Sequence, residues 1–259
     1  MAEKLKTALL QAELVWEDPE ANKEYFQKEI NSLSQDVDLI ILPEMFTTGF
    51  SMNAEKLAEE HQGPSFRWMQ KMASEKDAAI TGSIITSEKG HFYNRLYFVF
   101  PDGTSQKYDK RHTFTLAGEN EVYASGSAKL IVTYKDWKIC PLVCYDLRFP
   151  VWSRNTEDYD LLLFVANWPA PRVHAWDVLL QARAIENMSY CIGVNRVGRD
   201  GKDLDYVGHS AVYDSLGKQV SPKQFETVFT KEVVLEKDHL KQTRTQLRFL
   251  QDRDSFTVH

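Results

Sequence analysis

Leu161-Leu162-Leu163-Phe164-Val165-Ala166 is an unbroken apolar run, as expected of a strand buried on both faces. In the stretch that follows, Trp176, Leu179, Leu180, Arg183, Ala184 and Asn187 share one face at helical spacing. That spacing predicts a long helix over 173–188. A second apolar stretch predicts a strand over 190–195. Upstream of this strand–helix–strand centre, Tyr134-Lys135-Asp136 joins strands expected over 129–133 and 137–143. Further back, strands over 78–86 and 92–100 turn at Glu88-Lys89-Gly90. Pro101-Asp102-Gly103 then turns the chain into a strand ending near Tyr108. The N-terminal part predicts strands over 5–11 and 37–42. It also predicts a helix from Asp18-Pro19-Glu20, with Asp18 as N-cap and Pro19 at the first helical position, and another opened by Gly63-Pro64. Downstream, strands over 206–213 and 225–235 flank a turn at Asp214-Ser215-Leu216-Gly217. A short helix and an irregular tail over 242–259 follow. Strands and helices alternate, but hairpins are mixed in. The pattern implies a layered α/β architecture with mixed sheets. No repeat or linker divides the chain, which reads as one domain over 1–259.

Composition narrows the function. The 259 residues are 43% hydrophobic and 26% charged, ordinary globular values that exclude disorder along the whole chain. The formal charge of -6 gives no electrostatic reason to seek phosphate backbones or anionic lipid. Nucleic acid and membrane partners are therefore not expected. No stretch approaches the roughly 20 apolar residues of a membrane span, and the first residues do not read as a signal peptide. Three cysteines, Cys140, Cys144 and Cys191, are too few and too odd for a disulfide framework. They suit a reducing compartment, and the cytoplasm is the expected location.

Two apolar runs end in polar punctuation. Leu39-Ile40-Ile41-Leu42-Pro43-Glu44 places a carboxylate just past a strand, and Leu142-Val143-Cys144-Tyr145-Asp146 places a thiol just past another. Tyr108-Asp109-Lys110-Arg111-His112 is a charged cluster after a third. In α/β folds such carboxyl ends line the ligand crevice. A thiol with a pKa near about 8.5 is a poor nucleophile at neutral pH unless a base takes its proton or a cation holds the thiolate. A glutamate beside an apolar strand and a lysine can supply those two parts.

These segments resemble the nitrilase, or carbon–nitrogen hydrolase, superfamily. The resemblance rests on Leu42-Pro43-Glu44-Met45-Phe46, Tyr108-Asp109-Lys110-Arg111-His112 and Cys144-Tyr145-Asp146-Leu147-Arg148-Phe149-Pro150. Ala117-Gly118-Glu119, Ala182-Arg183-Ala184-Ile185-Glu186-Asn187 and Gly208-His209-Ser210 also match, in the same order. It implies a four-layer α-β-β-α sandwich and a catalytic set of Glu44 as general base, Lys110, and Cys144 as nucleophile. Glu119 would be a second glutamate that positions the lysine. No metal or organic cofactor is implied. Pairing through outer-layer helices is, giving at least a homodimer. The run 144–152 and Asn167-Trp168-Pro169 look most like the bacterial omega-amidase branch, whose members release ammonia from 2-oxoglutaramate or 2-oxosuccinamate. For such a substrate, Arg172 is expected to meet the distal carboxylate. Phe46, Tyr145 and Trp168 are expected to form apolar walls.

Plainer readings stand beside these. Taken singly, Cys144 reads as core filler, as do Cys140 and Cys191. Lys110, between Lys107 and Arg111, reads as part of a solvated charged face. Glu119 reads as a loop carboxylate, and Arg172 as a surface charge. Arg183 and Glu186 read as an ion pair, and His112 and His209 as structural hydrogen-bonders. A zinc site of Cys140 and Cys144 with His112 or His174 lacks the usual ligand spacing. Other functions that would keep the triad are an aliphatic amidase, an N-carbamoyl amino acid hydrolase and a nitrilase proper. A binding or scaffold protein retaining the fold is the non-enzymatic alternative.

Overall fold

Burial alternates along the N-terminal strands. Leu5, Leu9, Leu39 and Ile41 enter one core, while Ala8, Leu10, Ile40 and Leu42 enter another. This period of two is that of a sheet covered on both faces. The computed structural model describes residues 3–223 and 225–258.

In chain order the first elements are β1 (Lys4–Gln11), α1 (Pro19–Ser32), β2 (Leu39–Ile41), α2 (Ala54–Leu57), β3 (Glu59–Glu60) and α3 (Pro64–Lys76). A meander of β4 (Ala79–Glu88), β5 (His91–Val99) and β6 (Ser105–Asp109) follows, then α4 (Glu119–Val122). The middle holds β7 (Val132–Tyr134), β8 (Trp137–Val143), α5 (Pro150–Ser153), β9 (Leu161–Val165), α6 (Val173–Asn187) and β10 (Tyr190–Val194). The last elements are β11 (Val197–Arg199), β12 (Asp205–Val207), β13 (Ala211–Tyr213), β14 (Phe229–Glu236) and α7 (Lys237–Leu247).

One sheet has the order β14-β1-β2-β4-β5-β6, with β3 beside β4. The other has the order β13-β10-β9-β8-β7. Both are mixed: β1-β2-β4 and β8-β9-β10 are parallel, and the remaining pairs along these orders are antiparallel. Between the sheets lies the larger core, with Leu96, Phe98 and Tyr108 from one side and Ile139, Leu161 and Leu163 from the other. Outside the first sheet, Phe26 and Ile30 of α1 and Phe66, Met69 and Met72 of α3 cover the second core. Each such side chain contributes about 1.5–3 kcal/mol on burial. Outside the second sheet, α6 lays Trp176, Leu180 and Ala184 on β10. Gly193 permits that close approach, because a Cβ there would meet Leu180 Cδ1 at 2.5 Å and Trp176 Cζ2 at 2.6 Å. The four-layer α-β-β-α sandwich is thus the architecture.

Three local expectations are corrected. The strand expected over 206–213 breaks in two. Gly208 (φ 75°) and His209 (φ 60°) turn the chain from the β11–β12 ribbon into β13 of the main sheet. The strand expected from 225 begins only at Phe229, where pairing with β1 starts. The tail over 242–259 is not irregular throughout, for α7 runs to Leu247. Arg244 donates to the Met188 and Tyr159 carbonyls, and Arg253 donates to the Asn155 carbonyl and pairs with Asp158. These bonds hold the segment against its own chain. His259 lies outside the described residues.

Candidate active site

Four strand ends converge. β2 leads through Leu42-Pro43 to Glu44, β6 ends directly before Lys110, β8 directly before Cys144, and β9 two residues before Asn167. β4, β5 and β6 alternate in direction, so β6 runs the same way as β2 and delivers Lys110 to the Glu44 end of its sheet. The second sheet supplies Cys144 and Asn167.

Glu44 is fully buried. Its Oε1 accepts from Lys110 Nζ at 2.9 Å and from Asn94 Nδ2 at 2.8 Å, and its Oε2 accepts from the Asn167 backbone N–H at 2.8 Å. Asn167 Nδ2 also donates to the Glu44 carbonyl at 2.6 Å, which ties the two sheets together. Lys110 Nζ reaches both oxygens of Glu119, at 3.0 and 2.9 Å. Glu119 is not on a loop. It opens α4 after Gly118 (φ 73°) and accepts the Phe114 backbone N–H at 2.5 Å. Cys144 Sγ lies 4.0 Å from the Asn167 carbonyl.

The charges follow from this packing. Burial opposes the Lys110 charge, but the Glu119 and Glu44 carboxylates outweigh it and lift its pKa above the ordinary lysine value. Burial raises the Glu119 carboxyl, and Lys110 only partly offsets that. Burial, then the neighbouring Glu44 carboxylate, pushes the Cys144 thiol well above its usual range. At rest the group therefore holds a neutral thiol beside the Lys110 ammonium. Burial is also the main cause that pushes up the thiols of Cys140 and Cys191 inside their strands. They are core residues.

Cys144 sits in the left-handed backbone region at φ 45°, and Met45, next to Glu44, at φ 41°. A non-glycine residue held there costs of order 1–3 kcal/mol and needs surrounding structure to hold it. Around Cys144 that structure centres on buried Asp146. Its carboxylate accepts from the Val143 N–H at 3.0 Å, Tyr108 Oη at 2.8 Å, the His112 N–H at 3.1 Å and His112 Nδ1 at 2.7 Å. Asp146 thereby fixes the cysteine turn to the lysine segment. Behind it, His112 stacks on Phe149 at 3.6 Å between ring centroids.

The thiol and the Lys110 ammonium open into a cavity of about 180 Å³. Pockets for drug-sized ligands span about 300–1,000 Å³, so the occupant here is small. Its walls include Phe50, Phe114, Tyr145, Trp168 and Tyr206, with Arg148, Arg172 and Lys202 among them. The Arg172 guanidinium lies 5.1 Å from the Phe114 ring and that of Arg148 5.0 Å from Trp168. Among the described residues neither faces a carboxylate partner. The one acidic residue of the lining, Asp200, is already occupied: it accepts the Lys202 and Leu204 N–H groups and Tyr206 Oη.

Of the residues singled out by sequence, Glu44, Lys110, Cys144 and Glu119 form one cluster, and Tyr145, Trp168 and Arg172 line its cavity. Phe46 does not. Its side chain turns to the helix side of the first sheet, packing against Phe26 at 5.6 Å and Trp68 at 5.7 Å between centroids. Phe50 and Phe114 join Tyr145 and Trp168 in the aromatic wall in its place. Arg183 and Glu186 do pair, at 2.9 Å, and His209 pairs with Asp177. Sequence reasoning missed Asn94, Asp146, Arg148, Lys202 and Tyr206. Asp146 and Arg148 stood inside a quoted motif. Asn94 left only the trace of an amide in an otherwise strand-like run.

Residues 6–237 match the family model described as carbon–nitrogen hydrolase. The chain is 44% identical to the omega-amidase YafV of Escherichia coli K12, covering 98% of each chain. It is 33% identical to the 2-oxoglutaramate amidase of Bacillus subtilis, covering 81% of this chain and 82% of that one. A crystal structure from Xanthomonas campestris, a CN-hydrolase superfamily protein with an arsenic adduct in its active site, superposes with a TM-score of 0.96 at 42% identity, covering 99% of both chains. With the same sandwich and the ordered motifs meeting at one cavity, the chain belongs to the carbon–nitrogen hydrolase family.

Proposed function

We propose that this enzyme hydrolyses the terminal amide of a small 2-oxo acid, 2-oxoglutaramate or 2-oxosuccinamate, to the 2-oxo dicarboxylate and ammonia. The observation that carries the reading is the small cavity with a thiol, a carboxylate and an ammonium at one place and, in its walls, guanidinium groups with no carboxylate partner among the described residues. A carboxylate-bearing amide of that size suits both parts. The names of the Escherichia coli and Bacillus subtilis relatives point the same way.

Glu44 takes the Cys144 proton as sulfur attacks the amide carbon. A raised thiol pKa makes this transfer coincide with attack rather than precede it. The C=O π pair moves to oxygen, and that oxyanion is held by Lys110 Nζ and the Tyr145 backbone N–H. Protonated Glu44 gives its proton to the nitrogen as the C–N bond breaks and ammonia leaves. A thioester to Cys144 remains. Water then attacks it, with Glu44 taking a proton and returning it to sulfur as the C–S bond breaks. Every step is proton transfer or acyl transfer, which these side chains carry out unaided.

The chain is further proposed to act as a single domain, in a reducing cytoplasm, and as at least a homodimer. Exposed Val178 and Ile185, seven apart on α6, and Phe249 and Phe256 on the tail are the apolar side chains that fit a partner copy. Light scattering on the eluting protein tests the assembly.

The primary test is ammonia release from 2-oxoglutaramate by the wild type and Cys144→Ala. Turnover in the first and none in the second is expected. Turnover surviving in Cys144→Ala refutes the nucleophile. A wild type active only on nitriles or N-carbamoyl amino acids refutes the substrate class.

A further inference from the structure

Asn94 lies in mid-β5, where a buried strand favours apolar side chains, yet its amide faces the charged cluster. Its backbone carbonyl accepts the Lys110 N–H at 3.0 Å, so strand pairing itself puts the lysine beside it. Its Nδ2 donates to Glu44 at 2.8 Å and to Glu119 at 3.2 Å. The amide has two N–H groups and meets two carboxylates. Its Oδ1 is buried with no hydrogen-bond partner among the described residues. An orphaned acceptor costs free energy. It is tolerated here because the opposite orientation would aim the oxygen at two anions.

We propose, building on the catalytic reading above, that Asn94 is a positioning residue for the base: its one NH₂ group clamps Glu44 and Glu119 around Lys110 and keeps Glu44 ready to accept the Cys144 proton. The ammonium has three N–H groups. At rest these reach Glu44 Oε1 and both oxygens of Glu119, so the clamp leaves one Glu119 contact to be exchanged for the substrate oxygen. The charged and titratable groups around Glu44 are Lys110, Glu119, Cys144 and, from the end of α4, Tyr123, whose hydroxyl donates to the Ser51 carbonyl. Asn94 Nδ2 and the Asn167 backbone N–H are the neutral donors to Glu44. Losing the Asn94 donor leaves Glu44 less stabilised as an anion.

The test is the pH dependence of Cys144 alkylation by iodoacetamide in the wild type, Asn94→Asp and Asn94→Ala, with thermal unfolding measured in parallel. This readout does not depend on which amide is the substrate. The acid limb of the wild-type rate should move up by about one to two pH units in both variants, slowing alkylation about tenfold or more on that limb. Asn94→Asp keeps the shape and tests the charge even where Asn94→Ala unfolds. A limb unmoved in folded Asn94→Asp overturns the inference while leaving the triad intact. A wild type with no selective alkylation at Cys144 instead overturns the nucleophile reading on which the inference rests.

Discussion

Glu119→Gln is the substitution that tests the cluster most sharply, because it changes charge with almost no change in shape. Four N–H contacts end on this carboxylate. Oε1 receives Lys110 at 3.0 Å and Asn94 at 3.2 Å, while Oε2 receives Lys110 at 2.9 Å and the Phe114 N–H at 2.5 Å. A glutamine replaces one oxygen with a donor. In either orientation its NH₂ group confronts a second donor: Asn94 and Lys110 on one side, Phe114 N–H and Lys110 on the other. Each orphaned buried donor costs about 1–3 kcal/mol. With the ammonium also losing one of two counter-charges, the expected loss of stability is about 3–5 kcal/mol, the range for breaking a buried ion pair. Lys110 would then swing toward Glu44, its one remaining anion. Misplacing the ammonium should cost about as much as losing an oxyanion donor, a 10²–10³-fold fall in kcat. Glu119 is outside the cavity lining, so KM should change little. Urea unfolding and steady-state kinetics on 2-oxoglutaramate read the two effects separately. A variant within about 1 kcal/mol of wild type and within about threefold in kcat would show that the Lys110–Glu119 pair positions nothing.

Three further outcomes are expected. Arg172→Met should raise KM for 2-oxoglutaramate about 10–100-fold, the worth of one charge-assisted contact, with little effect on an uncharged amide; equal changes for both would remove Arg172 as the carboxylate partner. Gly193→Ala should cost about 1–3 kcal/mol of stability by driving a methyl into Leu180 and Trp176, and an unchanged denaturation midpoint would contradict that packing. Glu88 is held down to about 2 by Lys107 and then Arg95, so its contribution is present above its unfolded value near 4.5 and is lost as pH falls from there toward 2; Glu88→Gln should flatten that part of a melting-temperature profile, and parallel profiles for the two proteins would exclude the effect.

The fold was readable where one physical rule acted alone. Leu161–Val165 is buried on both faces and had no competing pattern, and α6 showed its helical face directly. Asp18 and Pro19 named the start of α1, and the Asp18 side chain does accept the Ala21 N–H. The rule failed where two demands met. Residues 206–213 have strand composition throughout, yet the turn at Gly208-His209 sends the two halves to different sheets. Nothing in local propensity marks that break except the glycine, and its necessity is tertiary: a Cβ there would lie 2.2 Å from the Gln11 side chain. Phe46 failed for a related reason. Its place in a motif beside Glu44 suggested the cavity, but Met45 at φ 41° reverses the chain and sends the next side chain to the far side of the sheet.

The site was legible as residue types and hidden as connections. Glu44, Lys110 and Cys144 each follow a strand, so sequence could place all three at sheet edges. It could not say that the edges belong to two sheets. That division explains why Asp146 was missed. A carboxylate on one sheet and a thiol on another need cross-sheet ties to meet, and those ties are polar side chains that are costly to bury unless fully used. Asn167 bonds Glu44 through both its backbone N–H and its amide. Asp146 spends its carboxylate on Val143, Tyr108 and His112, joining the cysteine turn to the lysine segment. Asn94 joins the two glutamates. The rest of the site's geometry therefore lies in amides and carboxylates around the cluster of Glu44, Lys110 and Cys144, and only the assembled sandwich shows which of them meet.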